Sequence, residues 1–393
     1  MMRLFINGLA ASAGGGLTYL RNVIPQLAHR TDTRTTVWLS APLRHEFADL
    51  PNISFISAGD DAGALRRFIH EQTALPKLIR SSGAQVLLSA GNFALCNCPV
   101  PQILLSRNSL YTSADFLRDV RLRGDYAIWI DTLIKSWLAR QSIGLATLTV
   151  APSEAFAVEL SQWSGKKVLS LHHGFDPAAF TSDTTSLPHT AQLQLQQARD
   201  SFRLLFVSHY NYYRNFEMLI RAIPILSARL NRKVRLFLTC QLKSGANPGA
   251  YQTDSAAALA NTLRQSGEIV ELGAIPYRSL HHLYRACHVY VTPAYAESFA
   301  HPLVEAMSMG LPVVASDLPV HREICGGAAL YFPRFSPTEL AEQILQVQKS
   351  PALAEKMSSQ GLRRSRDFSW GQHVDRLLSL AQELIESRSR ERN

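Results

Sequence analysis

The chain has 393 residues, 46% hydrophobic, 9% aromatic and 18% charged, a composition that excludes an extended disordered, collagenous or coiled-coil protein. At roughly 150 residues per domain, two large α/β domains are the simplest division of that length. The formal charge of +9 is diffuse, with 17 Lys/Arg against 12 Asp/Glu in residues 1–175 and 23 against 19 beyond, so nucleic acid is not an expected partner and a phosphorylated small molecule or an anionic membrane surface fits better.

The opening MMRLFINGLAASA reads as a first strand and not a signal peptide, because its apolar run is short and broken by Asn7 and Gly8. Short apolar runs follow at Leu4–Ile6, Thr36–Leu39, Ile53–Ile56, Val86–Leu88, Gln102–Leu105, Thr147–Ala151 and Val168–Leu171. With amphipathic stretches between them, they predict buried parallel strands of one doubly wound domain over 1–175. Within it, residues 116–140 interleave Phe116, Leu117, Trp129, Ile130, Leu133 and Trp137 with Arg118, Arg121, Arg123 and Lys135. Ordinary burial of those apolar residues is expected, with contact at a membrane surface as the other reading.

Residues 176–200, containing TSDTTSLPHTAQ, read as a polar linker. A second strand series then runs through Arg203–Ser208, Val234–Leu238, Ile269–Leu272, Val289–Thr292, Pro312–Ala315 and Ala329–Phe332, giving a second domain over 201–365. Residues 366–393 end in a helical pattern, Leu377, Leu378, Ala381, Leu384 and Ile385, expected to pack back across the boundary. No window approaches ~18 uncharged apolar residues, so no bilayer span is expected. The five cysteines, Cys96, Cys98, Cys240, Cys287 and Cys325, lack paired CxxC spacing. That favours a reducing, cytoplasmic setting over a disulfide framework or a zinc site.

In open parallel sheets ligands bind at the carboxyl ends of the strands, so the strand-to-helix loops are where function is expected. The first, Ala10–Gly16, has Gly14, Gly15 and Gly16 opening a helix whose free N–H groups favour an anion. Tyr19 stands where a dinucleotide fingerprint needs glycine, and a tight turn without ligand is an equal reading. The second, FVSHYNYYRNF, holds His209 and Arg214 five apart, a pair suited to clamping a pyrophosphate. The third is AYAESFAHPLVEAMSMGLPVVASD, residues 294–317. Glu297 falls in the loop and Glu305 on the helix after it, so helix N–H groups meet phosphate while carboxylates accept from hydroxyls. That division of labour describes a nucleotide sugar. His172 and His173 close the first half, where a ligand-lining role and a hinge turn compete.

The string ESFAHPLVEAMSMGLPVVASDLPVHRE resembles the E-x7-E block and following strand of the retaining glycosyltransferases of family 4, the bacterial polysaccharide-type hexosyltransferases. The GGG loop with YLRN, the HHGFD turn and ELGAIPYRSLHHLYRAC are similar strings elsewhere. The resemblance covers nearly the whole chain and implies an α/β, GT-B architecture: two Rossmann-like doubly wound parallel-sheet domains facing a cleft, the first on the acceptor side and the second binding the nucleotide sugar. It implies that Glu305 binds ribose hydroxyls and Glu297 the donor sugar. Ser298, Phe299 and Ala300 would meet the diphosphate, His209 and Arg214 would be the basic pair, Gly273 and Ile275 would lie by the base, and Gly15 and Gly16 would face the phosphates. Asn108 and His173 are further substrate-binding candidates.

Three departures stand out: His209 for a usual Arg, Ala300 for a usual Gly, and Ser106-Arg107-Asn108 where many members place a His near the sugar. The expected activity is retaining transfer of a hexose from a nucleotide diphosphate sugar to a glycan or lipid-linked acceptor. No metal or cofactor is expected, and the setting is cytoplasmic or peripheral at the inner face of the membrane. Alternatives within the fold are a nucleotide-sugar epimerase, a glycosyl phosphorylase or a catalytically silent sugar-binding subunit. A nicotinamide oxidoreductase lacks its glycine fingerprint here.

Overall fold

The structure is a computed structural model that describes residues 1–11, 15–59 and 63–392. The chain divides into two compact units. One comprises Met1–Thr112, Ala127–Gly174 and Ser369–Asn393, the other Ser113–Tyr126 and Phe175–Phe368.

The first unit carries β1 (Met2–Asn7), β2 (Thr33–Ser40), β3 (Ile53–Ala58), β4 (Val86–Ser89), β5 (Gln102–Leu105), β6 (Leu148–Ala151) and β7 (Val168–Ser170). They form one parallel sheet in the order β3-β2-β1-β4-β5-β6-β7, with Ile6 opposite both Val37 and Leu88. The strands are short and apolar because helices cover both faces: β4 and β5 are buried along their whole length. The second unit repeats the scheme with β8 (Phe202–Phe206), β9 (Val234–Leu238), β10 (Ile269–Glu271), β11 (Val289–Thr292), β12 (Val313–Ser316) and β13 (Ala329–Phe332), in the order β10-β9-β8-β11-β12-β13. All thirteen expected strands form, within a residue or a few at their ends. In each sheet the order reverses beside the first strand, which opens a crevice between the loops leaving β1 and β4, and between those leaving β8 and β11.

Two segments lie differently from the sequence reading. Residues 113–126, read as part of the first domain, fold with the second unit: Arg123 donates to Glu217 at 2.8 Å and the Tyr295 hydroxyl donates to Asp119 at 2.7 Å. Arg334 pairs with Asp115 at 2.6 Å. The supposed linker 176–200 forms two helices, Pro177–Ser182 and His189–Gln197. Asp176 caps the first by accepting from the Ala179 N–H at 3.0 Å, and Phe180, Leu187 and Ala191 are buried, so apolar anchors override the polar composition.

The C-terminal helix runs Trp370–Arg392. Its Val374, Leu377, Leu380 and Ala381 join a core cluster with Tyr19, Leu20, Val23 and Ile24, which makes it part of the first unit. A Cβ on Gly174 would fall 2.1 Å from the Trp370 backbone nitrogen, so glycine is required where those two stretches touch.

Burial in 116–140 is also only partial. Phe116 is fully buried, whereas Ile130, Ile134 and Trp137 of the helix Tyr126–Leu145 are 51%, 56% and 61% exposed. The intervals between them place all three on one face. No helix among the described residues is long and apolar enough to cross a membrane.

Candidate functional site

In the second unit the loops leaving β8 and β11 meet. Arg214 ends a short 3₁₀ turn, and Asn215 after it takes a left-handed backbone, φ 56°. The Asn215 side-chain amide donates to the carbonyls of Pro293 and Arg334 at 3.2 and 2.8 Å, which ties the two loops together. Arg214 can therefore donate through Nη1 to Glu297, while its guanidinium lies 4.8 Å from the centre of the Tyr213 ring. Its Nε is buried without a hydrogen-bond partner.

Burial opposes ionisation of Glu297, but Arg214, His321 and the Ser298 N–H outweigh it and hold the carboxyl below its ordinary value. Ser298 N–H donates to Glu297 Oε1 at 3.2 Å. Phe299 is buried, its ring against His301 and Phe368, so this stretch offers a ligand its backbone. Ala300 then turns the chain into the helix His301–Ser308 with φ 65° and ψ 65° and no side-chain cap. A non-glycine residue in that region stores roughly 1–2 kcal/mol of strain.

Glu305 sits in that helix, 5% exposed, and accepts from the Tyr284 hydroxyl at 2.8 Å. Burial pushes its pKa up to about 7, against hydrogen bonds from Tyr284 and Tyr277. Those two tyrosines are themselves packed on Phe180, ring centres 6.1 and 5.2 Å away, so the folded 176–200 segment braces the residues that surround Glu305.

His209 lies apart from the carboxylate loop, in the wall of a cleft of about 430 Å³ that also includes Ser208, Thr239, Gln241, Gly273 and Ile275. Gly273 has φ +74°, a backbone glycine adopts without strain. His209 is pushed below its ordinary pKa by burial and by Arg214, so it is a neutral donor or acceptor at pH 7 and not a cation. The structure thus gathers His209, Gly273 and Ile275 around one cleft, and Arg214, Glu297, Ser298 and Ala300 around the strained loop.

In the first unit, Gly15 and Gly16 open the helix Gly15–Ala28 as expected; Gly14 lies outside the described residues. Asn108 is committed to its own loop, its side chain accepting from the Leu110 N–H at 3.1 Å. His173 is 3% exposed, its ring 5.3 Å from Tyr19, 5.5 Å from Trp370 and 5.8 Å from His373, an enclosed aromatic setting.

The sequence reading missed two residues in the second unit. His321 is fully buried with Nδ1 2.8 Å from the Ser316 carbonyl, and it helps to hold Glu297 ionised. Glu217 is buried and accepts from Arg123 and from the Tyr210 hydroxyl at 3.0 Å. Neither has a local signal, since Glu217 and Arg123 are 94 residues apart.

Residues 191–364 match the family model described as Glycosyl transferases group 1, a span that contains His209, Arg214, Gly273, Glu297, Ala300 and Glu305. Among curated proteins, the chain is 28% identical over 166 residues to O-antigen chain mannosyltransferase B of Escherichia coli, covering 42% of each. It is 27% identical over 247 residues to a D-inositol 3-phosphate glycosyltransferase of Thermobifida fusca, covering 60% of this chain and 55% of the relative. The chain thus spans about half the length of the curated relatives it matches.

Among solved structures, sucrose-phosphate synthase of Thermosynechococcus elongatus aligns with a TM-score of 0.76 at 18% identity, over 98% of this chain and all of that one. HepE of Anabaena, solved with UDP-glucose, aligns at 0.73 and 17%, over 98% of this chain and all of that one. The fold is GT-B, two parallel-sheet α/β domains.

Proposed function

We propose that this protein is a retaining hexosyltransferase of family 4 that uses a nucleotide diphosphate sugar. The reading rests above all on the β11 loop, where an ionised Glu297, its partner Arg214 and a left-handed Ala300 are set at the start of the helix that carries Glu305. In the reaction the bond from the anomeric carbon to the diphosphate oxygen breaks while the acceptor oxygen bonds to the same face of the sugar. The acceptor proton passes to the leaving phosphate, so no protein base is required.

Arg214 offers positive charge and His209 a hydrogen bond to that phosphate. Glu297 accepts from hydroxyls of the sugar and Glu305 from those of the ribose, and the cleft at Gly273 and Ile275 takes the base. Arg214 carries the developing charge with a hydrogen bond from His209, and the reading calls for no metal ion. The curated relatives named above support a hexose donor and a saccharide or polyol acceptor, and we place a glycan or lipid-linked saccharide first. The exposed face of Ile130, Ile134 and Trp137 supports peripheral contact at the inner membrane surface.

Thermal-shift screening against UDP, GDP, ADP and their sugar conjugates, with and without EDTA, tests the donor class, since a ligand at 100 times its Kd stabilises by about 2.7 kcal/mol. One nucleotide should stand out and persist in EDTA, and product NMR should show the donor's anomeric configuration. No shift with any nucleotide, or an inverted product, would overturn the reading. Binding to anionic vesicles that Trp137→Glu abolishes checks the membrane contact.

A further inference from the structure

The second unit holds another cavity, of about 340 Å³, bordered by the loops leaving β8, β11 and β13 and by the helix Ala114–Leu122. Asp115, Arg118, Asp119 and Leu122 line it from one face of that helix, as intervals of three and four residues require. Asn215 and Tyr295 line it from the loops. The first follows Arg214 in the chain and the second stands two residues before Glu297, so the cavity adjoins the strained loop without containing its residues.

Most polar groups of the lining are engaged with one another. Asp115 pairs with Arg334 at 2.6 Å. Asp119 accepts from the Tyr295 hydroxyl at 2.7 Å and from Arg123 at 2.9 Å, and Arg123 also donates to Glu217. The Asn215 amide is held by two carbonyls. Arg118 is the exception: it makes no hydrogen bond, ion pair or ring contact among the described residues. The cavity therefore presents one unpaired positive charge.

The remaining lining is apolar. Leu122 is 77% exposed and Phe335 is 55% exposed. Tyr295, whose hydroxyl is committed to Asp119, has its ring 5.6 Å from that of Phe335, and the Arg334 guanidinium 5.5 Å from the Phe335 ring centre braces that side chain. An occupant that satisfies this lining has an apolar face for the rings and an anionic group for the guanidinium. A carboxylate or a phosphate matches the guanidinium fork, and a hexose ring offers a face of C–H groups while its hydroxyls stay in water.

We propose that this cavity binds a saccharide unit bearing a carboxylate or a phosphate, with Arg118 on the anion and Tyr295 and Phe335 against the sugar ring. Its place beside the Glu297 loop makes that unit part of the acceptor, a role that rests on the transferase reading above, whereas the binding itself does not. An acceptor contact then lies in the second unit, although the family resemblance gives the acceptor to the first.

The test is a thermal-shift titration of the full chain, with and without UDP, against glucose 6-phosphate, glucuronate, glucose and inorganic phosphate at constant ionic strength. It compares wild type with Arg118→Gln, Arg118→Lys and Phe335→Ala. Arg118 is exposed and unpaired, so its variants should melt with wild type in the absence of ligand. At least one anionic sugar should give wild type a saturable shift, with an apparent Kd about tenfold or more below those of glucose and inorganic phosphate. Arg118→Gln should lose that preference, Arg118→Lys should restore part of it, and Phe335→Ala should weaken the anionic sugar about tenfold. A response to only one of the two anionic sugars would assign the anion as phosphate or carboxylate. No saturable response to either, an unchanged preference in Arg118→Gln, unchanged binding in Phe335→Ala, or inorganic phosphate binding as tightly as the sugar would overturn the site. An anionic-sugar shift without any nucleotide shift would leave the site standing and remove the transferase reading. Nucleotide shifts without an anionic-sugar shift would do the reverse.

Discussion

Arg214 and Arg107 are partly buried arginines in loops at the carboxyl edges of the two sheets, and they differ in what stands opposite. Arg214 faces Glu297 across two loops that Asn215 ties together, whereas Arg107 faces a helix start and no carboxylate among the described residues. The first arrangement is self-sufficient: charge is balanced before any ligand arrives, and the pair supports the fold. In the second, burial of the arginine is not offset by a carboxylate among the described residues. One fold thus holds the same side chain in two electrostatic settings, and the neighbours set each.

The comparison is broken most directly at Arg214. Arg214→Met leaves Glu297 buried and unpaired and should cost about 3–5 kcal/mol in urea unfolding, along with donor-dependent activity. The double variant Arg214→Met/Glu297→Met should recover most of the stability and none of the activity. Equal stability of Arg214→Met and wild type would mean that the pair is not what holds the loop.

A slightly smaller effect is expected from pH. The folded-state pKa of Glu305, about 7, lies above the ordinary 4.5, so its contribution to stability is complete below about pH 4.5 and is lost as pH rises through 7. The stability of wild type relative to Glu305→Gln should therefore fall by about 3 kcal/mol between pH 4.5 and about pH 8, measured by urea unfolding across that range. A difference that does not change with pH would show that Glu305 keeps its ordinary carboxylate pKa in the fold.

The smallest effect sharpens the picture of the helix start. Ala300→Gly relieves a left-handed alanine but adds freedom to the unfolded chain, so a gain of about 0.5–1 kcal/mol is expected. The denaturation midpoint should rise, and a fall would show that the alanine methyl, in its buried position, contributes more packing than its backbone costs.

Strand positions, the alternation that yields two parallel sheets and the placement of Glu297 and Glu305 were all legible in the sequence. The reason is physical: a strand covered on both faces must be a short apolar run, and glycine or proline punctuation marks where it ends. The loop strings AYAESFAHP and SHYNYYRN carry enough polar residues at those ends to be picked out. What the second unit's site needs beyond this was not legible. His321 and Glu217 look like ordinary helix residues until the loops fold over them.

Domain membership shows the same limit. Composition made 176–200 a linker, yet Phe180 seats it on Tyr277 and Tyr284. Chain order placed 113–126 in the first domain, yet Arg123 and Asp119 commit it to the second. The sequence by itself determined the elements and their order, because backbone hydrogen bonding and side-chain periodicity are local. Only the tertiary structure decided which charges are paired, Arg214 with a carboxylate 83 residues away and Arg107 with none among the described residues, because electrostatic balance in a buried site depends on neighbours that chain order does not encode.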